Sequence, residues 1–167
     1  MDKASIHTIA DTYVEMRTHN LSRDLTKLEA QEPDDQVELL ALSFFFDAAL
    51  FAQHFEQKVA LYFVNYIVPN VILALSKEKI ISEQFDFKLC KKRMVEYWHH
   101  LPTFLSDIKV GRPSALSAVY SQNICGYKDP VLMGKADIIF LMMLKNYGKF
   151  ISDSKRVLKI NRSGEHM

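Results

Sequence analysis

Val37-Glu38-Leu39-Leu40-Ala41-Leu42-Ser43-Phe44-Phe45-Phe46-Asp47 opens the stretch that decides the fold, and Val59-Ala60-Leu61-Tyr62-Phe63-Val64 continues it. From Val37 to Leu75 the only fully ionisable side chains are Glu38, Asp47, His54, Glu56 and Lys58. Both runs are apolar at every turn of a helix instead of on one stripe, and a helix apolar all round is buried on most sides. The stretch therefore predicts a central helix, interrupted near His54–Lys58, and a second helix that ends or kinks at Pro69. Val59–Leu75 is at the short limit for crossing a bilayer, roughly 17–25 residues, and Asn65, Pro69 and Asn70 weaken it further. It reads as core, and no membrane partner is expected.

Outward from this centre the pattern stays helical. Five Gly and five Pro in 167 residues leave few turns, which favours long helices over a many-stranded sheet. Ile6, Ile9, Ala10, Tyr13 and Val14 keep a helical period from about Ser5 to Thr18; Asn20-Leu21 breaks it, and Ser22 caps a short helix to about Gln31. Pro33-Asp34-Asp35 is a helix start, with carboxylates where the helix dipole favours them. Ser82 is the expected cap of a helix over 83–100, stopped by Leu101-Pro102. It turns Phe87, Cys90, Met94, Tyr97, Trp98 and Leu101 inward. Ser114 starts a further helix closed by Gly126, and Asp129-Pro130 starts the last, to about Phe150. The expected fold is all-α: a single compact bundle of about six helices, residues 1–152, followed by a basic, flexible C-terminal tail at 153–167.

Composition narrows the class. Half the residues are apolar and a quarter charged, as in an ordinary globular domain with a core large enough to need no staple. Cys90 and Cys125 lack metal or redox spacing and read as reduced thiols. Met1–Ser5 shows no secretory pattern, so the expected location is cytoplasmic, and the Asn161-Arg162-Ser163 sequon carries little weight. No cofactor or metal motif is present: Glu96-x-x-His99 has no second copy for a di-iron site. Gly134-Lys135 lacks the rest of a phosphate loop. Residues 1–60 carry a net charge of −6 and residues 61–167 carry +7. Either the two parts pack against each other or pair in an oligomer, or the basic part faces an anionic partner.

One constellation carries candidate chemistry: Arg93-Met94-Val95-Glu96-Tyr97-Trp98-His99-His100. Arg93 and His100 stand a heptad apart and project within about 20° of each other on a helix, with Glu96 between them. An arginine for a phosphate and a histidine for proton transfer are the parts needed to cleave an RNA backbone. This spacing resembles the Arg-x(4–6)-His motif of HEPN-domain ribonucleases, small all-helical proteins that usually dimerise around a shared cleft. The resemblance implies Arg93 as the phosphate-facing residue and His100 as the second motif residue, with His99 less favoured. It departs from the family at Met94, where a polar residue is common. The plainer account of Arg93 and Glu96 is an i,i+3 pair on an exposed basic face.

With no catalytic set complete, the leading expectation is a non-enzymatic adaptor, regulator or inhibitor that binds another protein, as a homodimer or larger oligomer. The surplus of large apolar residues around Phe44–Phe46, Phe51, Phe55 and Tyr62–Tyr66 is the positive hint. The ribonuclease is the alternative, with Arg93, Glu96 and His100 as its catalytic residues. Lys88, Lys92, Arg93 and His99 form a basic face that admits nucleic acid.

Overall fold

The computed structural model describes residues 3–27, 30 and 32–164. Among them seven helices and no strand occur: α1 (Lys3–Lys27), α2 (Pro33–His54), α3 (Gln57–Lys77), α4 (Phe87–Trp98), α5 (Leu101–Lys109), α6 (Ala115–Cys125) and α7 (Pro130–Gly164). The all-α bundle is as expected, with α2 as its axis. Every residue of α2 from Gln36 to Asp47 is buried, and the helix touches α1, α3, α4, α6 and α7. Its aromatic run meets a different neighbour at each step. Phe45 sits against Trp98, Phe46 against Phe104 and Phe140, and Phe51 stacks on Phe63 at 4.7 Å between centroids.

Several starts behave as expected. Pro33 opens α2 and Pro130 opens α7, with Asp129 accepting from the Val131 amide at 2.9 Å. Ser114 accepts from the Ser117 amide at the start of α6, and Gly126 closes that helix at φ 76°, where a side chain would strain the backbone. Asp137 of α7 holds Ser114 in place through its Oγ at 2.5 Å.

Five boundaries are settled by more than the local signals; at Asn20-Leu21, at Pro69, which read as an end or a kink, and past Phe150, packing carries the helix on. There is no separate helix after Ser22: α1 runs through Asn20-Leu21 to Lys27, since Leu21, Asp24 and Leu25 are buried along it. Pro69 does not end α3, which continues to Lys77 on the buried Val71 and Leu75. The Pro69 ring is exposed, so its cost falls on the backbone, a lost hydrogen bond and crowding of the Asn65 carbonyl, and not on the core. Asp86, not Ser82, caps α4, accepting from the Lys88 and Leu89 amides at 2.9 and 3.0 Å. α4 does stop before Leu101-Pro102, at Trp98, and Pro102 sits in the first turn of α5, where a missing N–H is harmless. α7 does not end near Phe150, because Ile151 and Ser154 still pack on the bundle. The expected tail from 153 therefore begins inside a helix. The side chains of 155 and 157–164 and all of 165–167 lie outside the described residues.

Two buried acids on α2 organise the helices around it. Asp47 receives Arg17 Nε at 2.9 Å and the Tyr13 hydroxyl. Arg17 also donates to the Ser43 carbonyl at 2.8 Å and lies 4.0 Å from the Tyr147 ring centre. Arg17 is fully buried, and its Nη1 has no hydrogen-bond partner. Burial pushes the Asp47 carboxyl above the usual carboxylate range, against the pull of Arg17. Burial also works against the Arg17 charge, but Asp47 and the two tyrosines outweigh it and hold the guanidinium protonated. Glu38 is the second acid and belongs to the candidate site.

Candidate functional site

α4 carries the residues singled out above, and its register explains where each one goes. Cys90 and Tyr97 are seven apart and fully buried against α2. Arg93 lies between them in register, so it points along the α2–α4 seam rather than to solvent. There its Nε meets Glu38 Oε1 at 2.5 Å, and its Nη1 meets Glu96 Oε2 at 2.6 Å. The other Glu38 oxygen accepts from the Tyr97 hydroxyl at 2.6 Å and from Asn123 Nδ2 of α6 at 3.1 Å. Glu38 is thus a buried carboxylate satisfied by three side chains from two helices, the condition under which such a charge is tolerated.

The consequences for the site residues are specific. Arg93 and Glu96 come together as the sequence suggested, but Glu38 joins them and takes the guanidinium inward. Burial acts against the Arg93 charge; the Glu96 hydrogen bond and Glu38 outweigh it, so the group stays charged. Glu96 and His100 share the wall of a cleft of about 340 Å³ between α4 and α6, with Ala115, Ala118 and Val119 as its floor and Asn123 and Lys128 at its edge. Arg93 does not line that cleft. His100 precedes the first residue of α5, and His99 closes α4, exposed and turned away. Lys88 and Lys92 are exposed on the outer face, with no ion pair among the described residues.

Sequence reasoning missed Glu38 as a partner of Arg93, and Tyr97 and Asn123 as the donors to Glu38. The signal was there for Glu38: a lone acid in an apolar run needs a buried cation. Its partner is 55 positions away, so no local spacing names it. Reasoning also misplaced Phe87 and Trp98. They are 37% and 51% exposed, because Cys90 and Tyr97 set the inward direction and Trp98 is about 100° past it. Cys90 is an inert thiol, pushed up to about 12 by burial, then by Glu38 and Asp86. Asn65 faces solvent, whereas Asn70 donates to the Tyr66 carbonyl at 2.7 Å.

The other large exposed surface is α3. It is more apolar than α2, yet only 33% of its most apolar window is buried, against 72% for α2. Both helices are long and apolar enough to cross a membrane. α3 lies on α1 and α2 and leaves Leu61, Tyr62, Asn65, Pro69 and Leu73 on its outer side, a stripe without charge between Lys58 and Lys77. Tyr62 and Tyr66 at its edge meet α1 through His7 and Asp11. Among the described residues no three His, Cys, Asp or Glu side chains converge as a metal site. No protein-family model, no characterised protein and no solved structure matches this chain.

Proposed function

We propose that the protein is a non-enzymatic binding module, an adaptor or regulator, whose docking face is the outer side of α3. One observation carries this reading. Leu61 and Leu73, on the outer arc of α3 and about 120° apart around it, are 53% and 51% exposed, with Tyr62 between them around the helix and no charge along the arc. A solvated helix face is normally polar, and a contiguous apolar stripe on one marks a contact surface. The partner this stripe fits is a second copy of the chain. An isologous pairing sets each α3 across the other, closes the apolar face on itself, and leaves Asn65 near the crossing to bond its own mate.

Sedimentation equilibrium of the wild type and of a Leu61→Glu/Leu73→Glu variant tests it. The expected result is a wild-type dimer and a variant monomer with the same thermal midpoint, since neither side chain is in the core. A monomeric wild type, or a variant that still dimerises, overturns the reading.

The ribonuclease is the second reading, favoured by the cleft where Glu96 and His100 meet Lys128. Against it, Arg93 spends its charge on Glu38 and Glu96, leaving Lys128 as the cation at the cleft. Incubation with single-stranded RNA decides it: cleavage lost in His100→Ala and Lys128→Ala supports this reading, and no cleavage by the wild type ends it.

A further inference from the structure

The outer surface of α4 and α5 has a composition unlike that of α3. α4 packs on α2 and α5 packs on α6. Glu38 meets Arg93 and Tyr97, Phe45 meets Trp98, and Phe46 meets Phe104. On the outer face of α4, Lys88, Lys91, Lys92, Val95 and Trp98 recur at helical spacing, all exposed, and Leu105 is exposed on α5, the next helix in the chain. Val95 is 65% exposed, Leu105 53% and Trp98 51%. Lys91 lies over the Phe87 ring at 4.8 Å, and Lys109 continues the stripe one turn past Leu105. The acids of these two helices are engaged elsewhere: Glu96 accepts from Arg93 and Asp107 accepts from the Ala115 amide.

We propose that this face is a peripheral docking surface for an anionic lipid bilayer. The occupant follows from the mixture of side chains. Lysines that are free to extend reach headgroup phosphates while their stems lie on apolar surface. An exposed tryptophan is at home at the headgroup level. Val95 and Leu105 separate this surface from a nucleic-acid site, since aliphatic tips do not stack on bases but do enter the acyl boundary. The charge of the molecule supports the orientation: the segment after residue 60 is net basic and the segment before it net acidic. No helix has to cross the bilayer for this contact.

Trp98 is the chain's only tryptophan, so its emission reports on this face alone. The test adds phosphatidylserine–phosphatidylcholine vesicles to the full chain and follows Trp98 emission and co-sedimentation. The expected result is a blue shift and pelleting with the mixed vesicles, little of either with pure phosphatidylcholine, and reversal by salt. Lys88→Glu/Lys92→Glu should weaken partitioning roughly tenfold or more, and Val95→Ser/Leu105→Ser should reduce the blue shift. All four positions are exposed, so helicity by circular dichroism stays at the wild-type value. Leu61→Glu/Leu73→Glu on α3 should bind vesicles as the wild type does, which separates this surface from the dimer face. Three results overturn the proposal: no shift and no pelleting, equal binding to neutral vesicles, or quenching of Trp98 by single-stranded RNA with no response to vesicles.

Discussion

α2 and α3 come from one apolar stretch of sequence, and the bundle treats them in opposite ways. α2 is wrapped by helices and buries even Gln36, Glu38, Ser43 and Asp47. α3 buries only Ala60, Phe63, Ile67, Val68, Val71 and Leu75, one side of a helix that is apolar on both. The difference shows that apolarity reports the capacity to be buried, while position in the bundle decides whether the capacity is used. The helix that is fully used carries two buried acids, and each is met. The helix whose charges, Lys58 and Lys77, stand only near its ends has an open side.

The comparison breaks first at its polar end. Asp47→Ala leaves Arg17 buried without a counter-charge, and urea unfolding should show a loss of roughly 3–5 kcal/mol. The Arg17→Met/Asp47→Leu pair should recover most of it, because two charges removed together leave no orphan. A loss below about 1 kcal/mol for the single variant means that Arg17 finds another partner or water.

The two sides of α3 sharpen it further. Leu75 is fully buried and Leu73 is half exposed. Leu75→Ala should cost about 2–5 kcal/mol, and Leu73→Ala within about 0.5 kcal/mol, in the monomeric background. Equal losses would mean that the outer side of α3 is packed in solution. Pro69→Ala works in the other direction. It restores a hydrogen bond to the Asn65 carbonyl in mid-helix and should raise stability by about 1–3 kcal/mol, read from the urea midpoint.

At neutral pH the effect that vanishes is a slope confined to the alkaline range. Cys90 has an ordinary value of 9.0 and is held at about 12 in the fold. The thiol thus stays protonated in the native state while the unfolded state ionises, so its contribution is whole below about 9 and fades as pH rises toward 12. The loss is roughly 1 kcal/mol per pH unit in that window, and Cys90→Ala should remove that share of the slope. Tyr13, Tyr97 and Tyr120 are raised in the same direction, chiefly by burial, and add to the alkaline loss. A flat stability curve through the window contradicts the buried, protonated thiol.

The candidate site was half legible. Arg93 and Glu96 pair as an i,i+3 spacing on a helix requires, and the distance between them in the chain is short enough to read. The Arg93–Glu38 contact joins residues on different helices, and so does the cleft formed by His100 with Ala118 and Lys128. Trp98 was read as inward because its neighbours are apolar, and only the exact direction of Cys90 and Tyr97 turns it out.

By itself the sequence determined the elements: helices throughout, the break at 54–58, and the starts at Pro33, Ser114 and Asp129-Pro130. These are local matters of hydrogen-bond capping and backbone freedom, settled within a turn or two. The tertiary structure alone decided which breakers were overruled, at Asn20 and Pro69. It also decided that the less apolar of the two helices became the core, and which cation met which buried acid. Those outcomes depend on burial and on contacts 30 to 85 positions apart in the chain, and the energy of such contacts is defined only once the helices lie side by side.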